Sequence, residues 1–373
     1  MTQSKAERYE QIDRTFIDLQ ENIDLDNYLG PINRASELAR FKEEVDSGRI
    51  CNPQFEYDPL PDVHESELVS FMETLDPSDP IETLYREAVS TRLGEIRCAL
   101  THSASVISAH TSSCYGVPDQ SILDVARKNL TDIHPDQRAY TGSIEGRIYH
   151  AEELADICRT AMTNYGFDWK VVVKAEMGAK AAVDNLIREF WIRADVRFHE
   201  SLVKMMVVHE IGTHILRSEN GYAQPLKLFG RGLAAYQFTE EGLAEYAEER
   251  TGALLEDTIY RISGRVIGVH MALTGSFWDV YCALKDQFDT DMAFDIAQRA
   301  KLGIRDTSQP GSYTKDYTYL AGLLAVRSFF GTADAESIDA LLAGKVGFHH
   351  LDTVRQLQKE GYLVRPRAYP EWM

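Results

Sequence analysis

Two imidazoles with a carboxylate beside the first, in His209-Glu210-Ile211-Gly212-Thr213-His214, are followed after a loop by Thr239-Glu240-Glu241-Gly242-Leu243-Ala244. Two His and one Glu as ligands, with another Glu left free beside the first His, make up the donor set of a catalytic zinc site. The common metalloprotease pattern places its histidines four residues apart, whereas here they stand at i and i+5. In a regular α-helix five residues turn the side chain by about 500°, leaving the rings roughly 140° apart and unable to share an ion. One wide turn with i to i+5 bonding brings them back to one face, and such π-bulges occur mostly at functional sites. The spacing therefore predicts a π-bulge between His209 and His214, with Gly212 as its tolerant backbone position. Glu210, next to a ligand, points beside the ion, where a general base would act on water.

These residues need rigid elements to hold them. Leu202, Val203, Met205, Met206, Val207 and Val208 precede the motif, and Ile215 and Leu216 follow it. A helix over 196–217 would be apolar on most sides and central to a core, where two His and a Glu need partners or a metal. Asn220-Gly221 is a typical helix stop. A second helix opens near Thr239, read as its N-cap, with carboxylates in the first turn where the helix dipole favours them. Glu240, Glu248 and Glu249 read as dipole partners on a solvated face. Glu241 reads as the third ligand, because many zinc peptidases take theirs from a Glu followed by Gly and an apolar residue. Gly242 would let this helix approach the metal helix closely. Glu245, one turn on and on the same face, is the alternative ligand, or a partner that orients a His ring.

The run from His209 to His214, then Arg217, Asn220-Gly221-Tyr222-Ala223-Gln224-Pro225 and Glu241-Gly242-Leu243-Ala244, resembles the QEGLA-motif family. That family includes bacterial proteins named flavohaemoglobin expression modulators and the eukaryotic microtubule-associated tyrosine carboxypeptidases, which remove a C-terminal tyrosine from tubulin. Trp169-Lys170-Val171-Val172-Val173 and the stretch Gly311 to Leu323 are also similar to it, so the resemblance spans roughly residues 80 to 345. Glu240 stands where the motif has Gln, a departure expected to leave the ligands untouched. The resemblance implies zinc held by His209, His214 and Glu241, with Glu210 as catalytic base.

A carboxypeptidase also needs a cation for the substrate's terminal carboxylate and a donor for the oxyanion. Lys315 is the first candidate cation, followed by Arg217, Arg265 and Arg305; Tyr313, Tyr319 and His270 are candidate donors. Arg217 also reads as a helix C-terminal charge, and His270 as a satisfied core residue.

The expected fold is α+β and mostly helical, a zincin-like metallopeptidase core with a small β-sheet beside a helical lobe, plus an N-terminal helical extension. The divisions are 1–80 as helical and loop extension, 81–165 as helical subdomain and 166–373 as catalytic core. Strands are predicted over 169–176 and 185–193, and helices over 84–100, 148–165, 241–256, 258–273, 276–286, 291–301, 316–329, 335–343 and 349–360. Asp76 to Pro80 reads as a break before a helix. A net charge of −19 argues against a nucleic-acid partner. It also argues against tubulin, whose acidic tails an acidic enzyme would repel. No apolar run approaches a membrane span of about 18 residues, and the N-terminus has no apolar signal region. Five cysteines without a paired spacing fit reduced thiols, so a cytoplasmic location is expected. The leading function is release of a C-terminal residue, an aromatic one such as tyrosine among the candidates, from a peptide or protein. A non-catalytic metal-binding regulator and a zinc hydrolase of a small amide are the alternatives; the free Glu210 favours catalysis, since a structural site needs no base.

Overall fold

The computed structural model describes residues 4–19, 26–133, 146–175, 177 and 180–373. Helices dominate it, with two small sheets. β2 (Lys170–Lys174), β3 (Ala181–Asp184) and β4 (Glu189–Arg193) form a sheet of order β2-β4-β3, in which β2 and β4 run parallel and β3 is antiparallel to β4. β1 (Ile148–Tyr149) and β5 (Phe198–His199) pair antiparallel as a separate two-stranded ribbon.

The predicted strand over 169–176 is found as β2; Glu176 lies outside the described residues. The strand expected over 185–193 is shorter, because Arg188 turns the chain at φ 55°. β3 was not anticipated. Its residues, Ala-Ala-Val-Asp, carry little of the β-branched and aromatic content that marks a strand.

The break at Asp76 to Pro80 does start a helix, Pro80–Thr101. Asp79 Oδ1 accepts from the backbone N–H groups of Ile81 at 3.0 Å and Glu82 at 3.2 Å, and Pro80 occupies the first turn, where its missing N–H costs nothing. Tyr9 and Phe16 of the helix Lys5–Leu19 share a core with Tyr85, Leu228, Phe229 and Val354. Helices Glu256–Thr274, Phe277–Leu284 and Thr290–Ala300 surround a second core rich in Phe. A third core lies between the sheet, the helix Ala151–Tyr165 and the helix that carries the His pair.

That His-bearing helix is continuous from Glu200 to Tyr222, α-helical at both ends and π-helical over Val207–Ile215. The wide turn required by the spacing is therefore present. Gly212 is not a steric necessity within it, since a Cβ there would meet nothing closer than Val207 O at 3.7 Å. Asn220 and Gly221 do not stop the helix. Asn220 is fully buried and its amide nitrogen donates to the carbonyls of Leu342 at 2.9 Å and Ala368 at 2.8 Å. Gly221 passes so close to the next segment that a Cβ would fall 2.1 Å from Phe229 O.

The second site helix, Gln237–Thr251, starts earlier than expected. Thr239 is buried inside its first turn, where its hydroxyl accepts from Phe348 N at 3.0 Å; it is not the N-cap. Gly242 faces the helix Thr318–Phe330 and not the His-bearing helix: a Cβ on Gly242 would lie 2.4 Å from the carbonyl carbon of Gly322, and one on Gly322 would lie 2.5 Å from Phe238 O. The two glycines let those helices cross at backbone contact. The loop before Thr318–Phe330 is fastened by the buried Lys301, whose ammonium donates to the carbonyls of Gly275, Gln309, Gly311 and Ala272. No helix among the described residues is long and apolar enough to cross a membrane.

Candidate metal centre

The π-helical turn sets the rings of His209 and His214 edge to face, with centroids 4.8 Å apart. Glu241 Oε2 stands 3.9 Å from Nε2 of each ring. These three donors form one compact group. The opposite edge of each ring is held by a carboxylate. His209 Nδ1 donates to Glu248 Oε1 at 2.7 Å, and His214 Nδ1 donates to Glu240 Oε1 at 2.9 Å. A carboxylate on Nδ1 fixes the ring and makes its free Nε2 a better donor to a cation. Burial opposes charge on His209, but the bond to Glu248 outweighs it and raises the ring's pKa to about 10.

Glu240 and Glu248 are thus not on a solvated face: they are 3% and 1% exposed. Glu240 also pairs with Arg217 and, at 2.7 Å, with Lys345 Nζ, both fully or almost fully buried. Burial would raise the Glu240 carboxyl, but Lys345 and Arg217 hold it far below the usual carboxylate range. The residue that departs from the Gln of the motif therefore does touch a ligand candidate, through His214. Glu245 is grouped with His209 and Glu248, not with His214. Burial first, then the charge of Glu248, push its carboxyl up from the ordinary carboxylate range. Glu249 alone of the four neighbouring carboxylates pairs outward, with Arg327.

The donors open into a cleft of about 680 Å³. Glu210, half-buried beside His209, lines it, as do β3 and Trp191 of β4 on one wall. Lys315 and Tyr319 line it too, with Lys315 Nζ 3.8 Å from Glu241 Oε1. Burial, then the charge of Glu241, push the Tyr319 phenol up to about 12, so it stays a neutral donor through the physiological range.

The remaining sequence candidates lie elsewhere. Arg217 is buried against Glu240 and the carbonyls of Leu341 and Val346 and does not line the cleft. Arg265 pairs with Asp316 at 3.6 Å and stacks on Tyr319 from outside the cleft. Tyr313 is 6% exposed in the first core, beside Tyr115. Arg305 and His270 are not among the described residues lining the cleft. The cleft is also lined by residues that no motif pointed to: Arg92, Glu95 and Tyr115 from two N-terminal helices, and Arg231, Tyr236, Gln237 and Lys345. Most of these reach the cleft from segments remote in the chain, and only Tyr236 and Gln237 directly precede the Glu-rich run that could have flagged them.

A sequence model described as "Microtubule-associated tyrosine carboxypeptidase" matches residues 40–373. A rat protein named Microtubule-associated tyrosine carboxypeptidase 1 is 32% identical over 198 residues, 50% of this chain and 37% of its own. Its human namesake is 31% identical over 173 residues, 45% of this chain and 34% of its own. The mouse protein named MATCAP2 is 34% identical over 170 residues, 42% of this chain and 31% of its own. The matched stretch is thus about a third of these relatives' length. A solved protein of Colwellia psychrerythraea aligns over 80% of this chain and 66% of its own at 13% identity and a TM-score of 0.48, a likeness that carries no argument. The relatives' names associate them with microtubules, so the expectation against tubulin finds no support in them.

Proposed function

We propose that this chain, which belongs to the microtubule-associated tyrosine carboxypeptidase family, is a zinc-dependent carboxypeptidase. The observation that carries the reading is the convergence of His209 Nε2, His214 Nε2 and Glu241 Oε2, with Nδ1 of each ring already held by a carboxylate. Two imidazoles and one carboxylate are the protein ligands of a catalytic, not a closed structural, zinc site. When bound, zinc would polarise the scissile carbonyl and acidify a water.

The chain's own residues do the rest. Glu210, lining the cleft next to His209, accepts the proton of the attacking water at its carboxylate and passes it to the leaving amine. Tyr319 supplies a neutral O–H toward the developing oxyanion, and Lys315 adds positive potential on the same side. β3 is the outer strand of its sheet and lines the cleft, so its free edge offers backbone groups to an extended peptide. The substrate class is a peptide or protein C-terminus, with tyrosine favoured by the names of the relatives and a tubulin tail among the candidates.

The test is mass spectrometry of a peptide library with varied C-termini, incubated with zinc-loaded protein and with Glu210→Gln. Loss of single C-terminal residues with the native protein, and none with Glu210→Gln at equal zinc content, is expected. Equal trimming by both proteins, or trimming by neither, would refute the assignment.

A further inference from the structure

We infer that Arg231 is the anchor for the substrate's terminal carboxylate, the residue that makes the cleft an exopeptidase site. The inference rests on the carboxypeptidase reading above. Among the described residues, four cations line the cleft. Lys345 is committed to Glu240 at 2.7 Å. Lys315 stands 3.8 Å from Glu241, a ligand candidate. Arg92 faces Glu95 at 3.5 Å. Arg231 differs from all three: its Nε and Nη1 are shut off from solvent and have no hydrogen-bond partner among the described residues. A guanidinium donor buried without an acceptor is costly, and a carboxylate is the acceptor whose geometry and charge it matches best.

The local chain holds that donor in place beside the ion-binding residues. Arg231 ends the short helix Leu228–Arg231, and Gly232 follows at φ 121°. A side chain at 232 would collide with Tyr236, since a Cβ there would fall 2.4 Å from Cε1 of that ring. The Tyr236 phenol in turn lies within the fields of Lys345, Glu240, Lys315 and Glu241. The turn that carries Arg231 is thereby packed onto the ring of Tyr236, which lines the same cleft. Gln237, next in the chain and one turn before Glu241, has its amide oxygen buried without a partner on the same cleft wall. An unpaired cationic donor and an unpaired amide acceptor complement a C-terminal residue, which brings a carboxylate and a backbone N–H.

The experiment uses one hexapeptide ending in tyrosine, as the free acid and as the C-terminal amide, with the full zinc-loaded chain. Turnover is compared for the native protein, Arg231→Gln and Arg231→Lys. Binding of both peptides is measured by calorimetry on Glu210→Gln and on Glu210→Gln/Arg231→Gln. The native enzyme is expected to favour the acid, and Arg231→Gln to lower its acid-to-amide ratio of kcat/KM by about tenfold to hundredfold. Arg231→Lys, which keeps the charge and the fold, should retain part of the preference. An Arg231→Gln enzyme with the native acid-to-amide ratio would overturn the assignment. If the native protein cleaves neither peptide, the reaction reading fails and the binding arm decides alone: an Arg231-dependent preference for the acid upholds the anchor, and equal binding of acid and amide overturns it.

Discussion

Replacing Glu240 by Gln keeps the size and one acceptor but removes the carboxylate that Arg217 and Lys345 share. Both cations are buried, at 0% and 2% exposure, and Glu240 is 3% exposed. The other hydrogen bonds of Arg217 go to the carbonyls of Leu341 and Val346, and Lys345 otherwise faces the Tyr236 ring at 5.1 Å. These neutral groups cannot neutralise two charges. Breaking a buried pair by removing one partner costs about 3–5 kcal/mol, and here a single change strands two cations, so the upper end applies. At roughly 2 °C per kcal/mol for a chain of this size, the melting temperature should fall by about 8–10 °C. His214 loses its carboxylate partner in the same step, which should weaken zinc binding by about tenfold to hundredfold. Lys345→Met in the Glu240→Gln background removes one stranded charge and should recover part of the lost stability, a coupling read from a double-mutant cycle. Differential scanning fluorimetry of the chelated and zinc-loaded proteins, with a competitive zinc titration, gives both numbers. If Glu240→Gln melts within about 2 °C of the native protein, or if Lys345→Met makes it worse, the pairing is not what holds Glu240 in place.

Gly242→Ala should lower stability by at least about 1–3 kcal/mol in urea unfolding, because the added methyl would meet the Gly322 backbone at 2.4 Å. Gly212→Ala should be neutral or raise it by up to about 1 kcal/mol, since the site has room and Ala is the better helix former. Asp316 provides the pH test. Burial alone would raise its carboxyl, but Arg299 and Arg265 hold it at about 2, below its ordinary value of 3.8. A depressed carboxylate stabilises the fold above its unfolded pKa and loses that contribution as pH falls through the folded one. Asp316→Asn should therefore cost about 2 kcal/mol at neutral pH, and the gap from native should close between about pH 4 and pH 2; a gap that persists or widens there would contradict the pairing.

The His pair was legible because its spacing left one geometric solution, and the π-helical turn over Val207–Ile215 supplies it. The carboxylates were harder to sort. Glu240, Glu241, Glu245, Glu248 and Glu249 look alike in a sequence, and a Glu-rich helix start ordinarily lies on a solvated face. The helix Gln237–Thr251 is instead buried on nearly every side, so Glu240 meets His214, Arg217 and Lys345, Glu248 meets His209, and Glu249 meets Arg327. Long-range packing decided the rest: Lys345 and Arg231 reach the cleft from segments whose local pattern carries no sign of it, and Arg217 reads as a helix-end charge until Leu341 and Val346 are seen to close over it.

A periodicity argument would nonetheless have picked out Glu248. Seven residues make just under two helical turns, so Glu248 shares a face with Glu241 and sits about 10 Å further along the axis. An imidazole lying along that face meets one carboxylate at each edge, as His209 does, 3.9 Å from Glu241 at Nε2 and 2.7 Å from Glu248 at Nδ1. Glu240, one residue before Glu241, is turned by about 100°, which carries it off that face to the Nδ1 edge of His214 and to Arg217. One ligand and two ring-orienting carboxylates at n, n−1 and n+7 thus follow from a single helix crossing a π-turn. Any shift of one of them by a residue would break the set, because the ring it serves has only two nitrogens to offer.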